Sequence, residues 1–364
     1  MAAFIKKNTV MLIALAAALV TTVWVPVDGE YLGYFDWKTL TCLFCVLAVV
    51  CALKNVNFFY ILARWVVERF STVRVCVLVL VYITFIGSML IANDMALLTF
   101  LPLGFFVLTA TDKRQYMAVT FILQNIAANL GGMLTPFGNP QNLYLYSHFS
   151  IPTGEFMRIM APHFLLAVGL ITVCCLFLPG EKMRLKSSPV RLNGRRTAIY
   201  LLLFVLAIAI VFRGIPYWVG LIVIPPVLFF MDKKSLAQVD YPLLLTFFFF
   251  FVFSGNMARI PAVQSFFSGL LEKNTLLVSI LSCQCISNVP SAILLSRFTE
   301  NYPALLVGVN LGGTGTLIAS LASLITFREY VKHNPGKTWR YLGLFTAFNA
   351  GFLAVMTAFA CLVM

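Results

Sequence analysis

The sequence predicts an all-α polytopic membrane protein built from inverted repeats, each with a re-entrant hairpin and a discontinuous transmembrane helix. Three observations predict it. Of 364 residues, 61% are hydrophobic and 11% charged, with a mean hydropathy of +0.93, more apolar surface than a soluble fold of this length buries. The chain divides into apolar runs joined by short polar loops, and many of the runs approach the roughly 20 residues needed to cross about 30 Å of hydrocarbon. Several runs are interrupted by glycine, proline and asparagine, and the interrupted blocks recur in the same order.

Residues 1–33 hold the first transmembrane helix, near 8–26. Lys6 and Lys7 precede its apolar core as in a signal peptide, but no A-x-A cleavage pattern follows, so the helix is expected to be retained. Residues 34–180 form repeat 1, with a span near 37–53, a hairpin at 75–111, a broken helix at 116–148 and a span near 156–179. Residues 181–238 form a basic cytoplasmic linker and two scaffold helices, near 197–212 and 216–231. Residues 239–364 form repeat 2, with a span at 241–258, a hairpin at 275–299, a broken helix at 302–330 and a last span near 339–363. In each hairpin two arms, short for a span, flank a polar knot: Ala92-Asn93-Asp94 or Ser287-Asn288-Val289-Pro290. Each is therefore expected to enter and leave by one face.

The net charge of +13 is spread over short loops rather than one basic face, so it marks topology and not a nucleic-acid partner. With Lys6 and Lys7 in the cytoplasm, Asp28, Glu30 and Asp36 fall outside. Arg74, Lys113, Arg114, Lys182, Arg184, Lys186, Arg191, Arg195, Arg196, Lys233, Lys234, Lys332, Lys337 and Arg340 all fall inside. Counting either hairpin as a single crossing would invert everything downstream. The expected location is the inner (cytoplasmic) membrane, multi-pass, with the N-terminus cytoplasmic. The nine cysteines, mostly within apolar runs, read as small core residues, and the three isolated histidines form no visible metal site.

Three block pairs carry the repeat: FDWKTLTCLF (35–44) with VDYPLLLTFF (239–248), IANDMALL (91–98) with ISNVPSAILL (286–295), and NLGGMLTPFGNPQNL (129–143) with NLGGTGTLIASLASL (310–324). The first copy begins outside and the second inside, an inversion common in secondary transporters, whose sites lie where broken helices of the two repeats meet.

A helix break in hydrocarbon leaves backbone groups that must find partners in protein, water or solute. Gly131, Gly132 and Gly138 permit the first break, and Pro136 and Pro140 remove donors. Half-helix C-termini offer carbonyls to a cation, and half-helix N-termini offer N–H groups to an anion. Thr135, Asn139, Gln141, Asn142, Thr314 and Thr316, with Asn93, Ser287 and Asn288 at the tips, are the candidate substrate contacts. Asn93, Asp94, Gly132, Gly138, Asn288, Gly313 and Gly315 are the candidate cation or proton-coupling set. Asp94 is the one carboxylate placed deep in an apolar run, able to bind Na+ or carry a proton. A single GG pair reads as well as close helix packing, but two matched NLGG blocks after polar tips favour a site. Cys283 and Cys285 suit packing more than a soft metalloid ligand, while Arg259 and Arg297 either snorkel or draw an anion to the outer vestibule.

The order of tip, GGxxTPxGxPxN break, S-N-x-P-S tip and second N-L-G-G-x-G-T break resembles the ion transporter superfamily. That group includes arsenite permeases, NhaD-type Na+/H+ antiporters, citrate carriers and divalent-anion/sodium symporters. Asn93-Asp94-x-Ala96 and Asn288-x-Pro290-Ser291 most resemble the arsenite-permease branch, while the TPFGNPQN run is more similar to anion and NhaD-type members. The resemblance implies a homodimer with a scaffold and a mobile transport unit that moves by an elevator-like motion. It also implies cation sites at Asn93 and Asp94 with the Gly132–Asn139 turn, and at Ser287 and Asn288 with the Gly313–Thr316 turn. The dicarboxylate symporters carry S-N-T at both tips; here the tips are A-N-D and S-N-V, without their substrate-binding threonines.

The expected function is secondary active transport of a small anion or oxyanion, coupled to Na+ or H+, with no cofactor beyond such an ion. Na+/H+ or arsenite/H+ antiport is the alternative. An intramembrane enzyme is a remote one, since the chain shows one deep acid and neither HExxH nor G-x-S-x-G. No Walker motif provides for ATP drive.

Overall fold

The computed structural model describes residues 9–58, 61, 72–183 and 193–364. Lys6, Lys7, Arg184, Lys186 and Arg191 of the charge argument lie outside the described residues. Among the described residues the secondary structure is helical apart from one isolated bridge, Thr72 with Lys182. Eight helical stretches among the described residues are long and apolar enough to cross a membrane.

The helices are α1 (Thr9–Thr21), α2 (Trp37–Asn55), α3 (Val73–Ile91), α4 (Asn93–Ala110), α5 (Met117–Gly131), α6 (Pro140–His148), α7 (Thr153–Leu176), α8 (Gly194–Val211) and α9 (Tyr217–Met231). They continue as α10 (Lys233–Ala237), α11 (Tyr241–Ala258), α12 (Pro261–Ile286), α13 (Asn288–Leu295), α14 (Tyr302–Leu311), α15 (Leu321–His333) and α16 (Thr338–Val363). Side-chain caps set many of the starts. Asp36, Asn193, Asp240, Asn301 and Ser320 each accept a backbone N–H from the first turn of the helix that follows. Asn274 breaks the helical backbone inside α12 and its side chain accepts from Leu277 N, so the arm that starts at Thr275 is capped afresh.

α1 packs on α11, and α8 and α9 pack on α2. The second group has α3 against α4 and α5, α12 against α13 and α14, and α15 against α4 and α5. Two expectations are corrected. α1 ends at Thr21 rather than near 26, where the hydroxyls of Thr21 and Thr22 turn back onto Ala18 O and Leu19 O ahead of Pro26. The arms of the first hairpin are not short: α3 has 19 residues and α4 has 18, because helix continues to within one residue of the tip on both sides.

The outer ends of both arms are tied to the same segment, 178–181. Glu181 accepts Val73 N through its backbone oxygen, at 2.8 Å, and its carboxylate holds Lys113 and Tyr116, while Arg74 Nε donates to Leu178 O. The returning arm of the second hairpin ends at the opposite end of the broken helix α5–α6, where Ser296 bonds Tyr144 and Arg297 donates to Tyr34 O.

Candidate functional site

Each hairpin turns on one residue in the left-handed region, Ala92 (φ 68°, ψ 149°) and Ser287 (φ 75°, ψ 158°). The asparagine that follows each then makes the same two bonds. Asn93 N donates to Gly138 O (3.1 Å) and Asn288 N to Ala319 O (2.9 Å). Asn93 Oδ1 accepts Asp94 N and Asn288 Oδ1 accepts Val289 N, both at 2.9 Å. A third pair ties each break to the incoming arm: Thr135 Oγ1 donates to Met89 O (2.8 Å) and Thr316 Oγ1 to Gln284 O (3.4 Å). Gly131 lies so close to Phe85 and Ser88 that a Cβ would stand 2.5 Å from Phe85 O, and Gly312 leaves equally little room beside Cys283. The tip and break blocks of the two repeats thus share these three bonds.

The breaks are bridged by buried amides. Asn129 Oδ1 accepts Asn93 Nδ2 (3.2 Å), and Asn139 Nδ2 donates to Asn129 O (3.2 Å) and to Asn310 Oδ1 (3.1 Å). Asn310 Nδ2 donates to Asn142 Oδ1 at 2.6 Å. Asn142 Nδ2 in turn faces the carbonyls of Gly132, Met133 and Thr135, which the first break has freed. One turn earlier in α5, Asn125 donates to Ser323 Oγ and Asn349 Oδ1 and accepts from Thr326. Serines stand at 320 and 323 where repeat 1 has Asn139 and Asn142; they bond each other, and Ser323 accepts from Asn125.

Gly138 has no room for a side chain, since a Cβ would lie 2.3 Å from the backbone oxygen of Gly132. Gly132 abuts Asn139 Oδ1, and Gly313 abuts Asn288 Nδ2, with Asn129 Oδ1 beyond. Gly315 sits at φ +117° beneath Gln284, whose side chain donates to Gly312 O (2.8 Å) and Thr314 O (3.1 Å) and accepts Thr316 N (2.9 Å). Thr314 turns its hydroxyl onto Leu311 O, and Thr316 is exposed. Asp94 is half-buried; its Oδ1, with Asn139 Oδ1 and Gln141 Oε1, is buried without a hydrogen-bond partner. Among the described residues no group of three or more His, Cys, Asp or Glu could hold a metal.

Sequence reasoning missed Asn125, Asn129, Gln284, Asn310 and Asn349. Asn129 and Asn310 open the NLGG blocks and could have been found from that repetition. Asn125, Gln284 and Asn349 carry no local signal.

A membrane-spanning bundle with two broken helices, two hairpin tips and a buried polar junction between them is the architecture of a membrane transporter. The chain belongs to the citrate transporter family, CitMHS, whose profile matches residues 2–304. It is similar to an uncharacterized transporter of Methanocaldococcus jannaschii, at 31% identity over 82% of both chains. It is also similar to the inner membrane protein YbiR of Escherichia coli, at 30% identity over 80% of both chains. A silicon efflux transporter of Oryza sativa subsp. japonica is 30% identical over 47% of this chain and 37% of its own. The protein is therefore a multi-pass membrane transporter whose surroundings are lipid and whose cargo is a small solute.

Proposed function

We propose that the chain is a secondary active transporter that moves a small anion or oxyanion, coupled to Na+ or H+, by an elevator-like motion of a homodimer. The observation that carries this reading is the pairing of helix N-termini at each break. α4 abuts the start of α6 through Asn93 and Gly138, α13 abuts the start of α15 through Asn288 and Ala319, and the asparagine bridge ties α6 to Asn310 in the last turn of α14, which leads into the second break. Helix N-termini favour negative charge, and neutral amides orient an anion without holding it permanently. The unpartnered oxygens of Asp94, Asn139 and Gln141 are acceptors, and a Na+ ion or a proton is what such atoms lack. In this reading the hairpins are re-entrant and their tips stop at the depth of the breaks.

Citrate, named in the family's description, is the first solute to test. Proteoliposomes should take it up, or another small carboxylate or oxyanion, under an imposed Na+ or pH gradient. Absence of gradient-dependent flux across such a panel would sink the reading. The second reading, antiport with Asp94 as the exchanging group, is favoured by that carboxylate's buried, unbonded oxygen. Asp94→Asn should then abolish the pH dependence of transport, and an unchanged pH profile removes Asp94 from the role.

A further inference from the structure

We propose that the cleft between Lys38 and Arg297 is a second anion site, separate from the helix breaks, that takes a carboxylate or phosphate group at the face opposite the Glu181 anchor. The cleft encloses about 390 Å³, and its lining includes Tyr34, Asp36, Lys38, Tyr144, His148 and Arg297. It lies at the far ends of α6 and α13, whose first turns stand at the break and the tip. Along α6, Ser147 of the cleft follows Asn142 of the asparagine bridge by five residues, about 7.5 Å of helix rise.

Its charges are not balanced within the protein. Asp36 is the one acid in the lining, and both of its oxygens are engaged: Oδ1 accepts Thr39 N and Ser147 Oγ, and Oδ2 accepts Thr39 Oγ1. Arg297 uses Nη2 on Tyr34 O at 2.9 Å, while its Nε is buried with no partner. Lys38 forms no hydrogen bond or ion pair among the described residues. Arg213 lies outside the lining, bonded to Ser150 O and Tyr146 O and seated over the Tyr146 ring.

Capping of helix ends does not account for these groups. A basic side chain belongs at a helix C-terminus, but Lys38 is in the first turn of α2, where the helix dipole opposes it. Arg297 follows α13 yet gives its one bond to Tyr34, outside that helix. A buried guanidinium N–H left unpaired costs free energy that an oxyanion recovers. The same chemistry is offered by a free anion and by the headgroup of an anionic lipid.

The test is binding to the purified full chain without any gradient, so it stands whether or not transport is found. Calorimetric titrations use citrate and inorganic phosphate separately, and native mass spectrometry counts retained phosphatidylglycerol. Lys38→Gln breaks no bond and should weaken the bound probe at least about tenfold, the scale of one charge-assisted contact. Arg297→Gln should do the same, with Arg297→Lys recovering part. Asn139→Ala, which alters the break and not the cleft, should leave this binding in place. Binding of citrate or phosphate identifies a free anion, and retention of lipid alone identifies a headgroup. Equal affinity in wild type, Lys38→Gln and Arg297→Gln, or no binding of any of the three probes to wild type, overturns the proposal.

Discussion

The bridge between the repeats should be measurable as a coupling energy. Asn310→Ala removes the 2.6 Å bond to Asn142 Oδ1 and the 3.1 Å bond from Asn139 Nδ2. Asn142 Oδ1 is then a buried acceptor without a donor, at about 1–3 kcal/mol, and the second bond adds about 1 kcal/mol. The expected loss is about 2–4 kcal/mol. Asn142→Ala costs a similar amount, because its amide also serves the carbonyls of Gly132, Met133 and Thr135. Since the two residues share one bond, the double variant should lose about 1–2 kcal/mol less than the sum of the singles. Reversible unfolding by SDS titration in mixed micelles gives all three values. Strict additivity, within about 0.3 kcal/mol, would show that the breaks are not held through this pair.

Two further outcomes follow from local geometry. Gly138→Ala drives a Cβ against Gly132 O and should cost about 1–3 kcal/mol and abolish solute binding, whereas Gly169→Ala, with nothing within 4 Å, should be neutral or slightly stabilising; thermal unfolding of both variants reads this. The Glu181 carboxyl is held below its ordinary value of 4.5, first by its bond to Lys113 and then by Tyr116. A depressed value means that the anchor's contribution is present above about pH 4.5 and fades as pH falls further. The stability gap between wild type and Glu181→Gln should therefore be constant near neutrality and close on acidification; a gap that widens in acid contradicts the assignment.

The breaks and tips were legible because their signal is local. Glycine and proline announce interrupted helix, and the paired asparagines mark tips that bond to a break. The polar bridge was less so. Asn125 and Asn129 sit inside a continuous helix, and which face of α5 turns toward repeat 2 depends on packing between segments 198 to 224 residues apart. The arm lengths of the first hairpin are hidden for the opposite reason: a polar knot of three residues suggests a wide interruption, yet one residue with positive φ makes the whole turn. Thr135 also reads differently in three dimensions, since its hydroxyl is given to Met89 O.

The two breaks also differ in what satisfies their carbonyls, and this sets which hairpin detaches more easily. In repeat 1 the donor is Asn142, on the helix that follows the break, so those bonds survive if the hairpin moves away. In repeat 2 the donor is Gln284, on the hairpin itself, with two carbonyls and one N–H in its grasp. Separating the second hairpin from its break therefore breaks three side-chain bonds of Gln284, against the one from Asn93 to Asn129 at the first, each worth about 1 kcal/mol. Amide hydrogen exchange should thus be slower at Asn288 and Val289 than at Asn93 and Asp94, and Gln284→Ala should remove most of that difference. Equal protection at the two tips in the wild-type protein would mean that Gln284 does not tie the second hairpin down.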